Sequence, residues 1–180
     1  RAQTFTDIEI LVADDNANAA WNARVAVICS EFGVRHIINE VNLGSARNRN
    51  RAASFATGEY LCFLDDDDIY LPNKLAHQLA AIEKAGADVC IEDLRLVDEK
   101  GRVLETRTRD YLIGAPRESY LRLHLVYHMS GTDTVMFRKE AFERIGGFPP
   151  IDLGDEFYLM AEAITEGLSI CYHPEIGSLG

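Results

Sequence analysis

Four consecutive aspartates, Asp65 to Asp68, directly follow the apolar run Tyr60-Leu61-Cys62-Phe63-Leu64. Like charges packed this closely repel, and burying them unpaired is expensive. A divalent cation relieves both problems, and carboxylate oxygens are the natural ligands of Mg2+, Ca2+ and Mn2+. The apolar run reads as a buried strand. The acids therefore sit where that strand leaves its sheet, and open α/β sheets bind ligands outside the carboxyl ends of their strands. In a strand, residues i and i+2 point the same way. Asp65 and Asp67 are thus expected to face one site, with Asp66 and Asp68 facing elsewhere. The same run also fits a solvated acidic loop or the start of a helix at Asp68. The acids alone do not choose between these readings.

The elements that must hold this run follow from periodicity. Strands are expected over Ile8–Ala13, Val34–Ile38, Tyr60–Leu64, Ala87–Glu92 with Leu94–Val97, Thr134–Phe137 and Ser169–Tyr172. Helices are expected over Ala17–Phe32, Ser45–Ala56, Pro72–Ala85, Glu118–Tyr127, Lys139–Ile145 and Phe157–Glu166. Asp15 or Asn16 is placed to cap the first helix, and Gly33 to end it. Arg102–Tyr111 alternates weakly. Alternating strands and helices imply an α/β fold with a mainly parallel, layered sheet. Neither an internal repeat nor a low-complexity stretch interrupts it.

The chain has 180 residues, enough for one domain with a substantial core. Its formal net charge of −11 argues against nucleic acid bound through phosphates and against docking on anionic lipid. An anionic small ligand remains compatible if a metal supplies local positive charge. Cys29, Cys62, Cys90 and Cys171 are widely spaced among apolar residues and read as buried thiols, which fits a cytoplasmic location. No apolar run is long enough to span a membrane. His124, His128 and His173 lack metal-ligand spacing and read as core or surface residues. The opening Arg-Ala-Gln-Thr-Phe reads as the tail of a helix, so further residues are expected before it.

Several motifs in order carry a family resemblance. Asp7–Asp15, Asn42-Leu43-Gly44-Ser45-Ala46-Arg47-Asn48, Gly58-Glu59-Tyr60 with Phe63–Asp68, Phe137–Phe142 and Gly146-Gly147-Phe148 resemble the inverting glycosyltransferases of family 2. The resemblance implies a GT-A fold, with helices on both faces of a mixed sheet, and a nucleotide-diphosphate sugar as donor. UDP-sugars are the first expectation. It implies one domain over residues 1–180, with 1–98 as the nucleotide-binding half and 99–180 as the acceptor-binding half. It also implies that the family's first strand and helix are missing and that acceptor elements lie beyond residue 180.

The resemblance further implies a role for each acid. Asp65 and Asp67 would hold Mn2+ or Mg2+, with Asp66 beside them at the donor, and Asp68 is left to start the next helix. Asp14 and Asp15 would recognise the nucleobase. Arg47 would reach the nucleotide or hold the acidic loop, since guanidinium pairs well with phosphate and carboxylate, although a surface ion pair fits it equally. Glu156 would be the general base and Asp155 the second candidate, with an acidic helix start as the plainer reading of both. Asp133 would contact acceptor hydroxyls. The acceptor would be a saccharide or a lipid-linked saccharide, as in polysaccharide synthesis, worked on from the cytoplasm or from the inner face of the membrane.

Two departures stand out. Asn16-Ala17 replaces the family's usual Gly-Ser, and Asp155-Glu156 reverses its usual Glu-Asp. The extra methylene of Glu156 shifts its carboxylate by about 1 Å, an amount that matters for catalysis. Two other readings compete. One is a nucleotide-sugar binding module without catalysis. The other is a receiver-type signalling domain, suggested by Ile10–Asn16 alone.

Overall fold

The first expected strand forms as β1 (Leu11–Asp14) and pairs in parallel with β2 (Arg35–Ile38), with α1 (Ala19–Phe32) crossing between them. The computed structural model describes residues 2–151 and 153–180. The cap of α1 is Asn18, not Asp15 or Asn16; its side chain accepts from the amides of Ala20 and Trp21. Gly33 ends the helix at φ 59°, as expected. The expected apolar face of α1 is mostly solvent-facing: Cys29 is buried, whereas Trp21 and Ile28 stand half exposed. The opening residues are not a helix tail, and Arg1 lies outside the described residues. Gln3 is fixed by its own side chain, which donates to the Leu71 carbonyl at 2.8 Å and accepts from the Leu75 amide at 3.2 Å.

The larger sheet holds β3 (Tyr60–Cys62), β4 (Ile69–Tyr70), β5 (Val89–Val97), β6 (Val103–Arg107), β7 (Val135–Arg138) and β8 (Ile170–Leu179). Their spatial order is β3-β7-β5-β8-β4, with β6 on β5. The mixed α/β class is as expected, but the balance of directions is not mainly parallel. Among the described pairs, β1–β2 and β5–β8 are parallel, while β3–β7, β5–β7, β5–β6 and β4–β8 are antiparallel. The reason is partly connection length. The turn Asp98–Arg102 is too short for a crossover, so β6 can only return antiparallel to β5. The other antiparallel pairs join strands distant in sequence, which alternation along the chain cannot reveal.

Helices α2 (Ser45–Phe55), α3 (Lys74–Ala85), α4 (Tyr120–Tyr127), α5 (Lys139–Arg144) and α6 (Asp155–Thr165) complete the fold. Strand β5 is the centre of the core and is buried from Val89 to Leu94. Below the end of β3, Phe63, Phe142 and Phe148 pack with ring centroids 4.9 to 5.7 Å apart. Each ring taken from water contributes about 1.5–3 kcal/mol, and edge-to-face geometry adds to it. This aromatic floor carries the acidic turn. Gly147 lets it close. Its φ is +72°, and an added Cβ would lie 2.5 Å from Asn50 Oδ1 and 3.0 Å from the Phe142 ring. No ladder joins β1 to β3 among the described residues. Helix α2 spans that gap instead, with Asn48 donating to the Ala13 carbonyl at 3.1 Å.

Candidate active site

The four aspartates form a turn, not a strand extension. β3 ends at Cys62, and the Asp68 amide closes back on the Asp65 carbonyl at 3.3 Å before β4 begins. Strand alternation therefore does not decide where Asp65 and Asp67 point. Nor does Asp68 begin a helix, because α3 starts only at Lys74. Asp66 and Asp67 are exposed, while Asp65 and Asp68 are half-buried. Burial, together with Asp133, Asp67 and Asp65, pushes the Asp68 carboxyl up to about 6. Asp133 sits in a short 3-10 turn, Thr132–Thr134, and is buried, with Oδ2 lacking any hydrogen-bond partner. It thus belongs with the acidic turn as closely as with any acceptor site.

Arg49 is the residue that organises this acidic centre. Its guanidinium donates to Asp65 Oδ1 at 2.6 Å and to Asp155 Oδ2 at 2.7 Å, and it lies 5.4 Å from the centre of the Phe148 ring. Burial works to lower its pKa, but the two carboxylates outweigh that and hold it above the ordinary value. The planar fork suits this double role. Sequence reasoning selected Arg47, which is exposed. The periodicity of α2 held the signal. Ala46, Arg49, Asn50 and Ala53 make an i, i+3, i+4, i+7 stripe, and Ala46 and Ala53 are its buried apolar members. On the same stripe, Asn50 clamps Phe148 through the backbone, donating at 2.7 Å and accepting at 2.9 Å.

Asp155 and Glu156 form the first turn of α6, two residues ahead of its expected start. Their carboxylates suit the positive end of the helix dipole. The two are not equivalent. Asp155 is buried, and its Oδ2 also accepts from Ser45 Oγ at 3.3 Å. Glu156 keeps a partly open carboxylate 3.6 Å from His128 Nε2. His128 ends α4 at φ 48°, the one positive φ outside glycine among the described residues, and lies edge-on to Phe157.

Asp14 and Asp15 close β1 and are both engaged. Asp14 is buried, with Oδ2 2.9 Å from His36 Nε2 and Oδ1 accepting from the Asn16 amide. Asp15 organises the loop before α2. It accepts from Asn39 Nδ2 at 2.7 Å, the Leu43 amide at 2.8 Å and the Gly44 amide at 2.9 Å. Asn42 donates to the Asp15 carbonyl. The structure therefore gathers Asp65, Asp155 and Arg49 into one linked set, with Glu156 at its edge and Asp68 and Asp133 within electrostatic reach. Asp15 is tied to the start of α2 through the Leu43 and Gly44 amides, whereas Asp14 is held by His36 and the Asn16 amide.

The acidic turn suits a hard divalent cation by donor type, although among the described residues its carboxylate oxygens are not drawn together as closely as in a formed site. Its donors are all oxygen, the crowded carboxylates raise one another's cost, and Asp133 offers a buried oxygen without a partner.

The sequence model of Glycosyl transferase family 2 matches residues 1–146. An uncharacterised glycosyltransferase of Methanocaldococcus jannaschii is 31% identical over 135 residues, covering 71% of this chain and 46% of that protein. The succinoglycan biosynthesis protein ExoO of Rhizobium meliloti is 26% identical over 184 residues, covering 98% of this chain and 53% of that protein. The chain spans about half the length of these curated relatives. In structure, TarS of S. aureus superposes with a TM-score of 0.77 at 21% identity, over 99% of this chain and 53% of that one. The mannosyltransferase PcManGT from Pyrobaculum calidifontis, solved with GDP-Man and Mn2+, gives 0.69 at 18% identity, over 99% and 50%. The fold is GT-A. The family match replaces the receiver-domain reading, and the chain belongs to glycosyl transferase family 2.

Proposed function

We propose that this chain is the donor-binding and catalytic part of an enzyme that moves a sugar, with inversion, from a nucleotide-diphosphate sugar to an acceptor hydroxyl. A UDP-sugar is the donor class we favour, with a saccharide or lipid-linked saccharide as acceptor. The observation that carries this reading is the Arg49 bridge, which ties the acidic turn at Asp65 to the helix start at Asp155 and Glu156. Asp65 and Asp67, supported by Asp68 and Asp133, are the residues that would hold Mn2+ or Mg2+, with Asp66 beside them at the donor. A cation held there would neutralise charge on the departing diphosphate. Asp14 and Asp15 serve the nucleobase side, with Asp15 also fixing the loop before α2. Arg47, exposed near that loop, is left for the nucleotide phosphates.

Glu156 is the proposed base, since Asp155 is committed to Arg49 and Ser45. Its carboxylate takes the proton of the attacking hydroxyl. The new bond forms at the anomeric carbon, opposite the departing diphosphate, which leaves with its bonding electron pair. The test is UDP release by the full-length protein with Mn2+ and UDP-sugars. Glu156→Gln is expected to lower turnover by at least about 100-fold while UDP binding is kept. Unchanged turnover would remove Glu156 from the role. The reversed Asp155-Glu156 order favours one second reading, a binding module without catalysis. Donor binding without UDP release from any acceptor mixture would support it.

A further inference from the structure

Among the described residues, one group of imidazole and carboxylate side chains is gathered tightly enough to share an ion. His77, Glu92 and His173 each offer a ligand atom within 4.8 Å of the others. We propose that these three residues form a second metal site, for a borderline divalent cation with Zn2+ preferred, which pins α3 onto β5 and β8.

Strand register builds the site. Glu92 and His173 are direct partners in the parallel β5–β8 ladder, so their side chains rise from the same face of the sheet. His77 comes from α3, which packs on that face. Glu92 is wholly buried, yet neither carboxylate oxygen has a hydrogen-bond partner, and the buried His173 Nε2 has none either. Buried polar atoms are rarely left in this state. The nearest cation, Lys74 Nζ, is 3.9 Å from Glu92 Oε2 and donates to Gln78 Oε1 instead. Gly177 keeps the space open, since a Cβ there would lie 1.9 Å from Glu92 Oε2.

Two imidazoles and one carboxylate are a recognised Zn2+ donor set. They are softer than the all-oxygen acidic turn, so the two sites sort different metals. Ligand atoms around tetrahedral Zn2+ lie about 3.4 Å apart. Rotation of the solvent-accessible His77 closes the remaining distance, with water completing the shell.

The test is titration of metal-free full-length protein with Co2+, read by the visible bands of four-coordinate cobalt, followed by displacement with Zn2+. One equivalent of four-coordinate Co2+ is expected, with a rise in melting temperature. Asp67→Asn is expected to leave the signal intact, whereas His77→Gln and His173→Gln each weaken binding by more than about tenfold. His77 is accessible, so the apo His77→Gln protein is expected to melt like the parent, which separates ligand loss from misfolding. Absence of a four-coordinate Co2+ signal, or a signal lost in Asp67→Asn and kept in His77→Gln, would overturn the site.

Discussion

Arg49 joins three parts of the chain through one side chain, so its loss has more than one consequence. Arg49→Met leaves the buried Asp155 without its counter-charge, with only the Ser45 hydroxyl beside it, and removing one member of such a pair is expensive. We expect a loss of about 2–4 kcal/mol in urea denaturation at neutral pH. Arg49→Lys should recover only part of it, since an ammonium cannot fork to two carboxylates. Asp68 gives a second prediction. Its folded-state pKa of about 6 lies above the ordinary 3.8. The folded chain therefore holds this proton longer than the unfolded chain does. Asp68 thus leaves stability intact below 3.8 and lowers it as pH rises towards 6. Without divalent cations, Asp68→Asn should gain in urea midpoint over the parent across that window and then hold a constant lead. Equal pH profiles would contradict this.

Among the elements, the turn Gly146-Gly147 and helix α2 decide whether the aromatic floor closes beneath the acids. Gly147→Ala forces a left-handed φ on a side chain and drives its Cβ against Asn50 and Phe142. The expected loss is more than about 2 kcal/mol, read by thermal melting. Gly86→Ala is the matched control. It has φ +59° but open space around the new methyl, so about 1 kcal/mol is expected. Equal losses at the two positions would mean that backbone strain alone explains Gly147.

Across the whole molecule, stability is unevenly distributed. The β1–β2 pair is a two-stranded ladder of mostly half-buried residues, held to the rest through α2 and its asparagines. Strand β5 is paired on both sides and buried over its first six residues. Native-state hydrogen exchange should therefore show β1–β2 amides opening at clearly lower free energy than those of β5 and β8. If the nucleobase binds near Asp14 and Asp15, UDP should slow exchange there more than in β5. Uniform protection with no effect of UDP would count against both statements. The proposed Zn2+ staple acts at the opposite end of this gradient, on elements already well packed.

Sequence alone determined the α/β class and the family, because hydrophobic period and short motifs are local properties of the chain. Gly33 ended its helix as the pattern predicted, since a left-handed cap is set by one residue. Other features depended on packing between distant segments. Which arginine faces the acids was settled by the phase of α2 against the core, and Arg49 rather than Arg47 won. The difference between a buried, paired Asp155 and an open Glu156 came from where α6 meets α2. Strand direction followed from neighbours distant in sequence, as with β7 between β3 and β5. His173 looked solitary along the chain, and register with Glu92 gave it two companions. Local order writes itself into sequence spacing, whereas side-chain partnership across a sheet exists only once the sheet is formed.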